Sequence, residues 1–228
     1  MKGVVVPRGD LTGAQVRSMR ELLDAHFDGV HSDVFAHDLA AKDYVVLLEE
    51  DARLKGFSTM AVYPATFEET QVTVVFSGDT VVERSAWGST ALPRAWMAAV
   101  ATFARERPVW WFLICSGWRT YRFLPLFFKR FWPSPGVDMP AELEAFRHRL
   151  AVDRFGAAWS PHEGIVRLSH PAVLRPGLGE VTPERAQDPY IDFFARLNPG
   201  WERGDELVCL TQFDRTNLTR IGQRLAPP

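Results

Sequence analysis

The chain has 228 residues, of which 46% are hydrophobic and 24% are charged, and its formal net charge at pH 7 is -2. This ordinary globular balance excludes an intrinsically disordered chain, and the near-neutral charge argues against a general nucleic-acid binder. Aromatic residues make up 12% of the chain, which predicts large apolar surfaces in a core, in a lipophilic pocket or in both.

The N-terminal part of the chain indicates a short strand followed by two helices. Residues 2–6 form a β-type run that Pro7 ends. Apolar residues recur at helical spacing from Leu11 onward, and Thr12 can serve as the N-cap of that helix. A second, weaker helix is predicted over residues 33–41.

Three strands are predicted next, and the first two form an antiparallel hairpin around a turn at residues 53–56. Residues 77–80 interrupt the third strand. Gly78 predicts a β-bulge or a close backbone approach at this interruption. The predicted strands cover residues 44–49, 57–62 and 71–76.

A long helix and a buried strand follow. The helix is predicted over residues 89–106 and is ended by Pro108. Val109–Cys115 is a continuous apolar run, which is typical of a strand buried on both faces. Further helices are predicted over residues 121–131, 141–155 and 182–197, and further strands over residues 165–168 and 207–210.

The polar turn before the long helix is suited to an anion. A helix start leaves free N–H groups and a partial positive charge. Gly88 lets a ligand approach the backbone, Ser89 and Thr90 add hydroxyl groups, and Arg84 supplies a charge. The alternative is an ordinary capped helix, with Ser89 or Ser85 as N-cap.

Three residues near these elements are candidates for acid–base chemistry. Asp79 and Glu83 lie on or just after the third core strand, and Tyr121 follows the buried strand. Attack by an amine needs a base, and a departing thiolate needs an acid. Each carboxylate has a plainer alternative, which is simple solvation on a loop.

The two cysteines, Cys115 and Cys209, both lie in apolar runs, which predicts buried, reduced thiols. The alternative is that Cys115 is a nucleophile activated by a neighbouring histidine or cation. The six histidines are scattered without metal-ligand spacing, so no metal site is predicted. No signal peptide is evident and no apolar run is long enough to span a bilayer, so a cytoplasmic protein is expected.

The order of these parts resembles the GNAT superfamily of acyl-CoA-dependent N-acyltransferases, as a divergent member. The resemblance covers about residues 1–133 and is most specific over residues 72–104 and 109–133. It implies an α/β fold with a mixed, mostly antiparallel sheet flanked by helices. Residues 134–228 form a C-terminal extension that is expected to complete the sheet and to contribute to an acceptor pocket.

The resemblance also implies a donor site. The family's turn carries a Q/R-x-x-G-x-G/A pattern that holds the pyrophosphate of coenzyme A; here the segment is Ser85-Ala86-Trp87-Gly88-Ser89-Thr90, with Arg84 one residue early. In the family, the third core strand and the buried strand part, and pantetheine lies between them. The residues that would line this gap are Phe76, Ser77, Gly78 and Asp79 on one strand and Ile114, Cys115 and Ser116 on the other.

The family's usual proton donor is a tyrosine near the end of the last core helix, where this chain has Phe127. Tyr121 is the nearest substitute if it faces the cleft. The excess of aromatic residues around the expected acyl site leaves open a long acyl chain, with simple core packing as the alternative.

The function implied is transfer of an acyl group from a thioester donor, acyl-CoA or the phosphopantetheine of an acyl-carrier protein, to a small-molecule amine. A homodimer is left open, and neither nucleic acid nor a metal is expected to take part. One alternative is a catalytically inactive GNAT-like module for ligand binding or assembly. Another is an unrelated α/β enzyme that uses Cys115.

Overall fold

The computed structural model describes residues 1–227. Its strands are β1 (Lys2–Pro7), β2 (Phe27–Asp28), β3 (Tyr44–Glu50), β4 (Arg53–Phe67), β5 (Thr70–Val82), β6 (Val109–Cys115), β7 (Trp159–Ser160), β8 (Ile165–Val166), β9 (Val173–Leu174) and β10 (Glu206–Phe213). Its α-helices are α1 (Gly13–His26), α2 (Ser32–Ala40), α3 (Ala91–Phe103), α4 (Trp118–Tyr121), α5 (Phe123–Phe127), α6 (Ala141–Phe155), α7 (Pro189–Leu197) and α8 (Arg220–Leu225).

A continuous eight-stranded sheet forms the centre of the molecule, in the order β1-β3-β4-β5-β6-β10-β8-β7. All neighbours in this sheet are antiparallel except β5 and β6, which are parallel. The strands β10, β8 and β7 from the C-terminal region extend the sheet beyond β6. Helices cover both faces, so the predicted class, a mixed and mostly antiparallel sheet flanked by helices, is confirmed.

The two faces of the sheet bury different helices. Helices α1 and α2 pack on one face through Met19, Leu23, Phe35 and Leu39, and α6 packs on the same face farther along. Helix α3 packs on the opposite face through Trp96 and its neighbours, together with α5 and α7. Strand β6 lies between both cores, as its unbroken apolar sequence predicted.

Local sequence signals account for the start of the first helix. The Thr12 hydroxyl accepts a hydrogen bond from the Gln15 backbone N–H, and the Gln15 side chain accepts one from the Thr12 N–H at 2.9 Å. This reciprocal capping box satisfies two N–H groups that a helix start otherwise leaves free. The prediction of Thr12 as N-cap is therefore confirmed.

The turn predicted at residues 53–56 is wrong. The chain reverses at Asp51 and Ala52, which take φ values of 50° and 59°, and β4 already begins at Arg53. Gly56 lies inside β4. A Cβ at this position would meet the Val81 carbonyl oxygen at 2.8 Å, which explains why the residue is glycine. The glycine marks a close approach between neighbouring strands, not a turn.

The interruption predicted in the third core strand is a β-bulge within a longer strand. Pairing with β4 shifts between Ser58, which faces Thr80, and Met60, which faces Ser77, so Gly78 and Asp79 oppose one residue. A bulge bends the strand and redirects its side chains. It therefore sets where Asp79 points.

Other boundaries differ modestly from the sequence predictions. The aromatic helix predicted over residues 121–131 is two short helices, α4 and α5, and the helix predicted over residues 182–197 contains α7 only in its second half. Helix α6 has the predicted bounds.

Gly3 lets helix α3 lie directly on β1. A Cβ at this position would be 2.4 Å from the Ala91 carbonyl oxygen and 2.7 Å from the Ala95 Cβ. Because backbone must then shift, we expect Gly3→Ala to destabilise the protein by about 1–3 kcal/mol, the usual cost of overpacking. Thermal or urea unfolding measures this, with Gly9→Ala as control, since a Cβ at Gly9 meets nothing within 4 Å. Equal stability of the two variants would contradict this packing.

Candidate functional site

Strands β5 and β6 part halfway along the sheet. Their parallel pairing runs from Thr73 opposite Val109 to Ser77 opposite Leu113, and it ends there. The Ser77 hydroxyl accepts hydrogen bonds from the indole N–H of Trp111 at 2.9 Å and of Trp96 at 3.3 Å. These bonds fix Ser77 at the point where the strands still pair, and the bulge in β5 separates the strands beyond it.

Three cavities meet at this gap. A cavity of about 380 Å³, here called the α3-side cavity, lies between the start of α3 and helices α4 and α5. A cavity of about 550 Å³, the α2-side cavity, lies on the opposite face between α2, α6 and the C-terminal region. A third space of about 30 Å³ lies between them in the gap. Thr80 and Thr120 line all three, so the cavities on the two faces of the sheet lie next to each other at the gap.

The α2-side cavity contains charged side chains without a partner. Asp79 from β5, Glu206 from β10 and Arg154 from α6 all line it. Within residues 1–227, none of these three side chains forms a hydrogen bond or an ion pair. These half-buried groups have perturbed pKa values and converge on one cavity, which makes the cavity a candidate ligand site.

The pKa values of both carboxyl groups are raised toward neutral pH. Burial raises the pKa of Asp79 to about 6, and the negative charge of Asp38 adds to this effect. Burial, with the charges of Asp79 and Asp38, raises the pKa of Glu206 to about 8. At pH 7 Asp79 is thus mainly ionised and Glu206 mainly protonated, which are the states of a base and an acid.

Lys42 lies beneath these groups as a buried positive charge. Its ammonium group donates to the Asp38 carboxylate and, at 3.2 Å, to the Asp38 carbonyl oxygen. It lowers the pKa of both Asp79 and Glu206, but by less than burial raises them. Gly78 makes room for Lys42, since a Cβ there would lie 3.0 Å from the lysine Cε.

One wall of the α3-side cavity is formed by Trp87, Trp118 and Arg119. The Arg119 guanidinium lies between two indole rings, 4.1 Å from the centroid of Trp87 and 4.2 Å from that of Trp118. Arg84 lies 5.6 Å from the Trp87 ring and Arg185 lies 5.1 Å from the Trp118 ring, which completes a column of alternating cations and aromatics. Burial and the charges of Arg185 and Arg84 lower the pKa of Arg119 to about 10. Its Nε is buried and has no hydrogen-bond partner among residues 1–227.

The turn before α3 follows neither interpretation of its sequence completely. The Ser89 hydroxyl accepts a hydrogen bond from the Ala91 N–H at 3.2 Å, but the N-cap residue of α3 is Thr90, whose side chain makes no capping bond. The backbone N–H groups of Gly88 and Thr90 have no protein partner within residues 1–227. Ser89 lines the α3-side cavity, whereas Gly88, Thr90 and Arg84 lie outside its lining.

Two of the three predicted acid–base residues lie elsewhere. The Glu83 carboxylate accepts hydrogen bonds from the Lys55 ammonium at 2.9 Å and the Ser85 hydroxyl at 3.0 Å, which lower its pKa. The Tyr121 hydroxyl is buried, donates to the Pro133 carbonyl oxygen at 2.8 Å and has a pKa raised by burial. Neither side chain lines any of the three cavities, so the condition that Tyr121 face the cleft is not met.

The residues predicted to line the gap divide between the two faces. Ser77 and Gly78 line the space in the gap, and Ser116 lines the cavities on both sides. Phe76 faces the α2-side cavity, where the Arg154 guanidinium lies 3.6 Å from its ring centroid. Of the aromatic residues expected around an acyl site, Trp118 and Phe123 line the α3-side cavity, whereas Trp110 and Phe112 pack in the core.

Cys115 lies in the core and lines none of these cavities. Its Sγ is 3.9 Å from the Cys209 Sγ, both thiols are free, and burial raises the pKa of Cys115 well above its ordinary value. These are the buried, reduced thiols that the sequence predicted. The structure gives Cys115 neither the access nor the ionisation that a donor contact or a nucleophile requires.

The burial of the thiols predicts their reactivity. We expect Cys115 and Cys209 to resist a thiol reagent such as 5,5′-dithiobis(2-nitrobenzoate) in the native protein, because the thiolate is the reactive form. Both should react after unfolding in guanidinium chloride, which serves as the positive control. Rapid modification of a thiol in the native protein would contradict the core position and revive a nucleophilic cysteine.

The chain was compared with known proteins. No protein-family model and no curated protein matches it. It is similar to the solved structure of a conserved Enterococcus faecalis V583 protein of unknown function, described as a probable N-acyltransferase, with 13% identity, a TM-score of 0.42 and coverage of 54% of this chain and 32% of that chain. This chain thus spans about a third of the Enterococcus protein.

Two further structures show the same kind of likeness. One is an acyl-CoA N-acyltransferase from Pseudomonas aeruginosa, with 18% identity, a TM-score of 0.37 and coverage of 49% of this chain and 77% of that chain. The other, from Corynebacterium glutamicum, is described as histone acetyltransferase HPA2 and related acetyltransferase, with 15% identity, a TM-score of 0.38 and coverage of 61% and 93%.

The order of elements and the mixed, mostly antiparallel sheet, with β5 and β6 parting along it, are the arrangement that the sequence predicted. Within the described residues, none of the helices is long and apolar enough to cross a bilayer. Residues 1–227 also contain no group of three histidine, cysteine or carboxylate side chains that could hold a metal ion.

Proposed function

We propose that the protein transfers an acyl group from a thioester donor to an amine. The observation that carries this proposal is the parting of β5 and β6 after Ser77. A cavity lined by Arg119 and a cavity lined by Asp79 and Glu206 lie on either side of it, and Thr80 and Thr120 line both. A long donor can enter from one face and an acceptor from the other, with the reacting atoms in the gap.

The α3-side cavity suits the phosphate end of acyl-CoA or of an acyl-carrier phosphopantetheine. Arg119 offers a guanidinium held rigidly between Trp87 and Trp118, and guanidinium groups bind phosphate oxygens in fixed geometry. The N–H groups of Gly88 and Thr90 lie outside the lining of this cavity, next to Ser89, which lines it. The turn alone is a partial phosphate signature, and Arg119 compensates for it.

The gap itself suits the pantetheine arm and a small acyl group. Beyond Ser77 the two strands no longer pair with each other, so their facing backbone groups are free to bind an extended chain. The space of about 30 Å³ in the gap favours a short acyl group such as acetyl over a long chain. Trp96, Trp111 and Phe127 enclose it.

The chemical step needs one base and one acid. The neutral acceptor amine attacks the thioester carbonyl carbon, and Asp79 takes the proton that the nitrogen loses as the C–N bond forms. Free backbone N–H groups at the gap polarise the carbonyl oxygen as charge develops on it. When the tetrahedral intermediate collapses, a C–N bond has formed, the C–S bond breaks, and Glu206 supplies a proton to the departing thiolate.

Donor binding tests the proposal. Isothermal titration calorimetry with coenzyme A and acetyl-CoA should give dissociation constants that rise with salt, since phosphate contacts are screened by ions. Palmitoyl-CoA should bind no more tightly than acetyl-CoA. A phosphopantetheinylated acyl-carrier protein is the second donor to try. Failure of every one of these donors to bind would contradict the proposal.

A second function is favoured by the position of Tyr121. With the expected tyrosine acid turned into the core, the fold could serve as a ligand-binding or assembly module that no longer catalyses transfer. Tight binding of acetyl-CoA without turnover on any amine would support this alternative.

A further inference from the structure

Arg154 is a half-buried cation that lines the α2-side cavity. It lies in the last turn of α6, and its guanidinium is stacked on Phe76 at 3.6 Å from the ring centroid. Burial lowers its pKa, yet among residues 1–227 it has neither an ion-pair nor a hydrogen-bond partner. The charges of Asp38 and Asp43 raise its pKa, but neither carboxylate forms an ion pair with it among residues 1–227, so an anionic group from a ligand in direct contact would stabilise it.

Neighbouring cations differ from Arg154 in this respect. Lys42 is paired with the Asp38 carboxylate. Arg149, one turn earlier on the same helix, lies over Phe146 but donates to the Thr66 carbonyl oxygen and does not line the cavity. Of Lys42, Arg149 and Arg154, only Arg154 both lines the cavity and has no ion-pair or hydrogen-bond partner among residues 1–227.

Arg154 and the proposed base lie a short distance apart along one strand. Phe76, under the guanidinium, and Asp79 are three positions apart on β5, about 10 Å at the usual rise of a strand. Both face the same cavity. An anion bound to Arg154 and an amine beside Asp79 would therefore belong to one small molecule, with only a few bonds between the two groups.

We propose that the acceptor is an amino acid whose carboxylate binds Arg154 while its amine faces Asp79. This inference rests on the proposed function, of which it names the acceptor class. The cavity of about 550 Å³ leaves space for a side chain beyond these two groups. Val34, Phe35 and Leu168 line part of that space, which favours an apolar side chain.

Matched pairs of acceptors test the inference. Each common amino acid is compared with the amine that lacks its carboxylate, for example L-leucine with 3-methylbutylamine and L-phenylalanine with 2-phenylethylamine. Acyl transfer is followed by release of free coenzyme A thiol, and binding without donor is followed by calorimetry. We expect at least one amino acid to exceed its amine about 30-fold or more in kcat/KM, since an unpaired buried charge costs that much binding.

The variant Arg154→Met should remove this preference. It should lower kcat/KM for the amino acid about 30-fold or more and leave the matched amine nearly unchanged. Arg149→Met, on the same helix, is the control and should leave both unchanged. The inference fails if the amine is as good as the amino acid, if Arg154→Met affects the two equally, or if no amino acid binds.

The same measurements separate this inference from the proposed function. Transfer to amines without any preference for amino acids would overturn the inference and leave acyl transfer standing. Selective amino acid binding that Arg154→Met abolishes, without transfer from any donor, would support the acceptor site and overturn the transferase.

Discussion

Asp79→Asn should reduce kcat/KM for acyl transfer by between about 100-fold and about 10,000-fold, the range expected when a general base is lost. The carboxylate is placed by the bulge in β5, lines the α2-side cavity and has no protein partner within residues 1–227. Asparagine has nearly the same shape but cannot accept the proton. Steady-state kinetics with a saturating donor measures the loss.

The pH dependence sharpens this prediction. In the wild type, kcat/KM should rise as the pH passes about 6, where Asp79 ionises, and fall as it passes about 8, where Glu206 loses its proton. Because the two groups interact, these limits belong to the pair and not to either residue alone. Glu206→Gln should remove the fall at high pH, together with the activity that depends on the acid.

The free energy of unfolding should fall over the same pH range in which the activity rises. The pKa of Asp79 is raised on folding, so its contribution to stability is fully present below the pKa of the unfolded chain and is lost as the pH rises through about 6. At pH 8 the neutral Asp79→Asn variant should therefore be at least as stable as the wild type.

Glu83→Gln is the control for the kinetics of Asp79→Asn, because Glu83 faces none of the cavities. A fully active Asp79→Asn variant would contradict the assignment.

Arg119→Met should weaken binding of coenzyme A by about 10-fold to about 100-fold, as expected for loss of a charge-assisted contact to phosphate. Methionine keeps an unbranched apolar stem between Trp87 and Trp118, so the packing is largely retained. The salt dependence of binding should become shallower in the variant, because one phosphate contact is missing. Calorimetry at two salt concentrations measures both effects.

A matched control separates the effect of losing the Arg119 charge at the site from the effect of lowering the protein's net charge. Arg196→Met removes the same charge from an exposed side chain that is paired only with Asp192 on the surface of α7. Its affinity for coenzyme A should equal that of the wild type. An unchanged affinity in Arg119→Met would place the donor phosphates elsewhere, and Arg84→Ala would then be the next variant to measure.

Elements with strong local signals could be predicted from the sequence. The capping box at Thr12, the buried run Val109–Cys115 and the bulge at Gly78 each follow from residues close together in the chain. The hairpin formed by β3 and β4 shows where local sequence signals mislead. Gly56 looked like a turn residue, but it serves a contact with Val81 on a neighbouring strand.

The site could be predicted only where one segment builds it. Asp79 follows from its place after the third core strand. Glu206 lines the same cavity because β10 pairs with β6, and Arg154 does so because α6 packs over Phe76. These pairings join segments that are far apart in sequence, and no local pattern specifies them. A carboxylate just before the apolar run of β10 was the only signal for Glu206.

Two misplaced candidates have the same physical origin. Tyr121 was a candidate proton donor on the condition that it faced the cleft, but its hydroxyl donates to the Pro133 carbonyl oxygen. Glu83 follows the last residue of β5, where Lys55 of the neighbouring strand captures its carboxylate. In both cases the residue type suited the chemistry, whereas the direction of the side chain was decided by tertiary contacts.

The most direct measurement of acyl transfer through the β5–β6 gap is mass spectrometry of a single reaction mixture. Purified protein is incubated at pH 7 with acetyl-CoA and a mixture of the common amino acids and their decarboxylated amines. The account predicts an N-acetylated product that requires the protein, appears with an equal amount of free coenzyme A and forms at least about 100-fold more slowly with Asp79→Asn. Absence of any acylated amine, with acetyl-CoA bound but unconsumed, would contradict it.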